Sequence, residues 1–117
     1  MKLTCERDKL LDAFQVAATV APSRSPKPIL QCVKLEIKDS VATLMATDLE
    51  VGIRIEVEGV QADSDGSVIL PVHVFGNILR EGSDEKLKIT VKSKGISIRG
   101  DHSKYDLPYQ DPEEFPE

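Results

Sequence analysis

The chain of 117 residues is the size of one domain and long enough to bury a single core. Its formal net charge of −5, from 15 Lys and Arg against 20 Asp and Glu, excludes a surface that holds nucleic acid by bulk attraction. Two Tyr, three Phe and no Trp leave a mostly aliphatic core, and no apolar run approaches a membrane span of about 18 residues.

The N-terminus enters a short β-type run, Lys2–Cys5, with no signal-peptide core, which points to the cytoplasm. From Glu6 the period changes. Leu10, Leu11, Phe14, Ala17, Ala18 and Ala21 form an apolar stripe at helical spacing, with Asp8, Asp12, Gln15 and Thr19 opposite. The helix is expected to stop before Pro22. Next comes Arg24-Ser-Pro-Lys-Pro-Ile-Leu30, stiffened by Pro26 and Pro28, which disfavour helix at Ser25 and Lys27. It carries two cations, Arg24 and Lys27, and no acid. A stiff basic loop after an amphipathic helix is a way to offer a cation to a phosphate.

Leu30–Lys38 alternates: Val33, Leu35 and Ile37 on one face, Lys34, Glu36 and Lys38 on the other. Asp39-Ser40 is a tight hairpin turn. Val41–Thr47 continues the sheet, Asp48-Leu49-Glu50 interrupts it, and Val51–Glu58 alternates again. Apolar residues on one face only mean an antiparallel sheet with one wet side. After the turn cluster Asp63-Ser-Asp-Gly66 the pattern restarts. Ser67–Leu70 is a short strand, and Pro71 suits a first helical position. Phe75, Ile78 and Leu79 make a second helical stripe, with His73, Asn77 and Arg80 opposite, and Gly82 ends it. Strands follow at Lys86–Lys92, Ile96–Arg99 and Ser103–Leu107, turned at Ser93-Lys-Gly95 and Gly100-Asp-His102. The Pro- and acid-rich tail, 108–117, reads as a linker.

The chain therefore holds one unit twice, strand–helix–strand–strand–strand, over about residues 2–58 and 67–107. The expected class is α+β: two pseudo-symmetric βαβββ units, with two helices on one face of antiparallel sheets. Chemistry-bearing patterns are sparse. Cys5 and Cys32 are not spaced as metal ligands and read as reduced thiols in two strands. His73 and His102 lie apart, without ligand partners at metal spacing. Asp48 and Glu50 read as a strand-connecting turn with a capping Asp. No nucleophile–base pair, phosphate loop or cofactor motif is present, so neither catalysis nor a cofactor is expected.

Five short pieces, in order, carry a resemblance across essentially the whole chain: Met1-Lys-Leu-Thr-Cys-Glu-Arg-Asp-Lys-Leu-Leu11; Arg24 with Pro28-Ile-Leu30; Thr47-Asp-Leu-Glu50; Pro71, Phe75 and Arg80; and Glu114-Phe-Pro116. Together they resemble the first of three domains of the bacterial sliding clamps, the β subunits of DNA polymerase III. The resemblance implies the DNA clamp fold over residues 1–107, with 108–117 leading to a second domain outside this chain. It also implies a non-catalytic processivity factor, a head-to-tail homodimeric ring around duplex DNA without sequence preference. DNA polymerase III α subunit and the clamp loader would be held through the other domains. Within it, Arg24 maps onto a DNA-contacting position and Arg80 onto a basic position facing the hole. His73 stands where relatives can carry Arg, and a solvated His is mostly uncharged at neutral pH. Asp8 and Asp12 make the first helix less basic than in some relatives; Arg7, Lys9 and Lys27 supply the remaining cations. The resemblance further implies acids outside the ring and cations inside, and a subunit interface through Lys104, Tyr105 and Leu107 of the last strand. The rival expectation is a free-standing interaction module that pairs through that same edge strand.

Overall fold

A computed structural model describes the chain except for Ser23, Pro26, Ser83, His102 and Glu117; the stiffening expected at Pro26 and the turn at His102 lie outside the described residues. The elements are β1 (Lys2–Glu6), α1 (Arg7–Ala18), β2 (Cys32–Lys38), β3 (Val41–Thr47), β4 (Gly52–Val57), β5 (Val60–Ala62), β6 (Gly66–Pro71), α2 (Val72–Glu81), β7 (Lys86–Lys92), β8 (Gly95–Arg99) and β9 (Lys104–Pro108). Single 3-10 turns occupy Pro28–Gln31 and Pro112–Glu114.

The strands form two antiparallel sheets, ordered β5-β1-β7-β8-β9 and β4-β3-β2-β6. The expected units are both present, and they exchange their first strands. β1 of the first unit pairs with β7 of the second, Leu3 opposite Ile89 and Cys5 opposite Leu87. β6 of the second pairs with β2 of the first, Leu70 opposite Val33 and Val68 opposite Leu35. Neither unit can complete its sheet alone.

One core lies between the sheets and the helices. It takes the alternate residues of the strands, among them Leu3, Val33, Leu35, Leu44, Ile89 and Ile98, together with Leu10, Phe14 and Ala17 of α1 and Phe75, Ile78 and Leu79 of α2. The helices meet at Phe14 and Phe75, whose ring centroids lie 5.2 Å apart at a tilt of 60°. Truncating either ring to Ala costs about 3–5 kcal/mol at a site this buried. Cys5 belongs to the same core and is a free thiol, and burial pushes its pKa up to about 12.

α1 stops before Pro22 as expected, at Ala18, and Thr19 closes it by donating from its hydroxyl to the Val16 carbonyl (2.7 Å). The structure departs from the sequence expectations at several other joints. Residues 28–31 are a 3-10 turn, so β2 begins at Cys32 and not at Leu30. Pro71 is the last strand residue and the N-cap of α2, one position before the helix. β5 adds a short strand that alternation over three residues is too brief to reveal. The tail is more than a tether, because Phe115 packs against Cys32 and Ile69 on the face of β2 and β6 turned away from the helices.

The four sheet edges are unequal. β5 is only three residues long, and β6 is flanked by the two 3-10 turns. That leaves β4 and β9 as the open edges, each the third strand after a helix in its unit.

The Asp39-Ser40 turn has both residues at positive φ (51° and 67°), the mirror-image turn that suits a two-residue hairpin. Leu49 is held at φ 81° in the β3–β4 connection. Asp48 fixes that loop as the expected cap, accepting at Oδ1 from the amides of Glu50 (2.9 Å) and Val51 (2.7 Å). These amides hold the Asp48 carboxyl below its ordinary value, the Val51 bond contributing most. Leu49 is 57% exposed, so its side chain repays little of the left-handed strain. Leu49→Gly is therefore expected to raise unfolding free energy by about 1 kcal/mol, read as a higher urea midpoint at unchanged slope.

Candidate nucleic-acid interface

The two helices run antiparallel. The start of α1 meets the end of α2, where the Arg7 guanidinium donates from Nη1 to the Leu79 carbonyl (2.9 Å) and from Nε to the Asp84 carbonyl (2.6 Å). The Arg7 amide donates to the Glu85 carbonyl (2.8 Å). The Asp84 carboxylate turns the other way, accepting from the Asp101 amide (2.9 Å) and the Ser103 hydroxyl (3.3 Å). Two glycines clear this crossing. A Cβ at Gly82 would lie 3.3 Å from Arg7 Cδ, and one at Gly100 would collide with the Asp84 carboxylate. Gly82 itself is extended (φ −70°, ψ 149°), so close approach and not a left-handed cap explains it.

The resemblance places Arg7 among the DNA-facing cations, and the structure corrects this. Its side chain is only 15% exposed and is committed to two carbonyls, with the exposed Asp8 carboxylate 3.0 Å from Nη2. It is a clamp between the ends of the helices. A sequence pattern cannot distinguish this Arg from a solvated one, because its acceptors are main-chain atoms more than 70 residues away.

The other candidates are exposed. Lys9 lies on α1, with Nζ 3.1 Å from the Glu6 carboxylate. On α2, His73 occupies the first turn and Arg80 the last. Arg80 folds back over Gly76 and donates to the Asn77 side-chain oxygen (2.5 Å). Arg24 and Lys27 are exposed in the connection after α1. Around them, the Lys27 amide donates to the Ser25 hydroxyl (3.1 Å) and the Gln31 amide group to the Ser25 carbonyl (3.4 Å). The 3-10 turn that follows packs beside β2 and β6. Cys32 pairs with Pro71, so this basic loop stands at the end of the helix pair where α2 begins. The exposed polar faces of the helices also carry Asp8, Asp12 and Glu81. Along the helices the charges nearly balance; at the loop they do not.

The last strand divides its residues. Lys104 and Tyr105 are exposed, while Leu107 is buried in the domain's own core opposite Ile96. β9 as a whole is an open edge.

One sheet face runs against the acidic total of the chain. The face of β1, β7, β8 and β9 turned away from the core presents Lys2, Lys86, Lys88, Lys92, Arg99 and Lys104, with Glu6 and Asp106 as the acids at the same alternation. That outward face is cationic although the chain is acidic in total. No group of three or more His, Cys, Asp and Glu residues suited to a metal occurs among the described residues, and no helix of the described residues is long and apolar enough to cross a membrane.

The family model of the DNA polymerase III beta subunit, N-terminal domain, matches residues 1–117. The chain is 31% identical to the beta sliding clamp of Escherichia coli K12 and 28% identical to that of Haemophilus influenzae, each match covering 99% of this chain and 32% of the relative. Its fold superposes on a solved structure of Caulobacter crescentus pol III beta with a TM-score of 0.91 at 30% identity, covering 99% of this chain and 31% of that one. The chain thus spans about a third of the length of the relatives it matches. These matches do not favour the free-standing interaction module.

The clamp role of Arg7 has a measurable signature. Arg7→Lys keeps the charge but has no planar fork to reach both carbonyls. It is expected to cost about 1–3 kcal/mol in chemical denaturation, with hydrogen exchange accelerating at the Asp101 amide. Arg7→Lys stability equal to wild type would remove the clamp.

Proposed function

The chain belongs to the DNA polymerase III beta subunit family, as its N-terminal domain, and from that premise we propose that it forms one sector of a ring that slides on duplex DNA during replication in the cytoplasm. Its role is non-catalytic: a topological tether that keeps the polymerase on its template. The observation that carries this reading is the helix pair on one face of the domain, combined with two open edges, β4 and β9, at equivalent places in the two units. Helices on one side supply an inner surface. Edges on two sides let like domains join in series, and a head-to-tail series closes into a ring when its rotation divides a full turn.

In this reading Arg24 and Lys27 make the principal phosphate contacts, with Arg80, Lys9 and His73 as weaker contributors along the helices. Such contacts position DNA without reading its sequence. The carboxylates Asp8 and Asp12 keep the attraction low, which suits a ring that must move. Arg7 contributes rigidity only. Lys104 and Tyr105 of the β9 edge meet the second protomer of a head-to-tail dimer, and Leu107 supports that edge from the core side. The polymerase α subunit and the clamp loader dock through domains that follow this one.

Two measurements test the proposal. The 117-residue chain is expected to bind duplex DNA weakly, with affinity falling steeply as salt rises and no preference among sequences; a sequence-specific complex would refute it. The full-length protein, loaded onto nicked circular DNA, is expected to stay bound until the circle is linearised and then to leave. Arg24→Ala is expected to shorten that retention without lowering the melting temperature, and unchanged retention would remove Arg24 from the site.

A further inference from the structure

We infer that the outward face of β1, β7, β8 and β9 is a second duplex-DNA-binding surface, on the opposite side of the sheet from the helices, which holds the phosphate backbone of a DNA segment outside the ring. The argument begins with register. Thr4 pairs with Lys88, Lys88 with Arg99, and Arg99 with Lys104, so three cations stand side by side across neighbouring strands; Lys104 lies on the edge strand that the proposed dimer covers, so Lys88 and Arg99 on the interior strands carry the inference. Adjacent strands are about 4.8 Å apart. Like charges directly opposite one another destabilise a sheet. No acid interleaves them in that row, and none of the three takes part in an ion pair among the described residues. The fold gains nothing from this arrangement, since Thr or Ser at these exposed positions would serve the sheet better.

Shape agrees with charge. The row lines a depression of about 670 Å³ that also takes in Lys86 and Ser103. Asp101 is the one acid of the lining. A second, smaller depression beside it is lined by Lys2, Lys92, Arg99 and Lys104 with Thr90 and Ser97, and has no acid. The cations thus continue along the strands as well as across them.

The chemistry of the lining selects the partner. A protein-binding surface depends on apolar or aromatic anchors at its centre. Here the side chains of both depressions are Lys, Arg, Thr and Ser, with the single Asp101. Bound single-stranded nucleic acid is held partly by aromatic stacking, and no aromatic residue lines either depression. What remains is a smooth polyanion read by charge alone, the backbone of a duplex. The surface is separate from Arg24 and Lys27, which lie in the connection after α1.

The test is a salt series of duplex binding, followed by fluorescence anisotropy with a labelled blunt duplex and full-length protein. Lys88→Gln with Arg99→Gln is expected to weaken binding at low salt by about tenfold and to lower the slope of log affinity against log salt by about 1.8, at about 0.9 for each phosphate no longer neutralised. Lys88→Gln alone is expected to lower the slope by about 0.9. Thermal melting of both variants is expected at or above the wild-type temperature, because in-register repulsion is relieved. Arg24→Ala with Lys27→Ala, run in parallel, reports on the inner contacts, so failure of the inner surface is distinguishable from failure of the outer one. Unchanged affinity and slope in the double Gln variant would overturn the inference. So would displacement of the duplex by a polyglutamate peptide at a lower concentration of charge, which would assign the face to an acidic protein.

Discussion

The exchange of first strands between the two units is the constraint on which the rest of this domain depends. Because β1 completes the second unit's sheet and β6 the first unit's, the two halves cannot separate without each giving up a strand of its sheet. The exchange brings both helices over a shared core, where the tilted rings of Phe14 and Phe75 meet at the contact between them. The last strand of each unit is left at a sheet margin. The helix face, the two open edges and the opposite face of the sheet all follow from this one arrangement.

Within that frame, the cations divide among three tasks that composition alone would merge. Arg7 is used up inside the fold, its fork bridging the end of α2 to the backbone at Asp84. Arg24 and Lys27 stand exposed at one end of the helix pair. Lys88, Arg99 and Lys104 stand in register on the far side of the sheet. A net charge of −5 is compatible with all three, because Glu36, Glu56, Glu58, Asp39 and Asp65 all belong to the first unit's strands and turns or to the approach to β6. The domain is electrically lopsided, and the sign of the total says little about any one face.

Much of the fold is legible in the sequence. Strict alternation in 33–38 and 86–92 and the helical stripes around Phe14 and Phe75 are long enough for their period to be unambiguous. What escapes is short or non-local. β5 has three residues, too few for a period, and the exchange of β1 and β6 is a matter of pairing between segments whose patterns are alike. The tail's composition signals a linker, yet Phe115 finds an apolar site made by Cys32 and Ile69 on the outer side of a strand pair. What is legible of the candidate site is the exposure of Arg24 and Lys27, which lie in a local run of Pro, Ser, Arg and Lys before Ile29. The site is illegible at Arg7, whose role depends on carbonyls brought close only by tertiary structure, and at the Lys88–Arg99–Lys104 row, which exists only once the register is known.

β5 has a consequence for how the chain is made. β1 is synthesised well before its main partner, β7, which follows 80 or more residues later. Until then β1 would be an unpaired strand with one apolar face, open to mispairing. β5 arrives much earlier and takes the other flank of β1, Leu3 opposite Ala62. A three-residue strand that adds little to the finished sheet can act as a temporary berth during translation, holding β1 in place until β7 is ready to receive it.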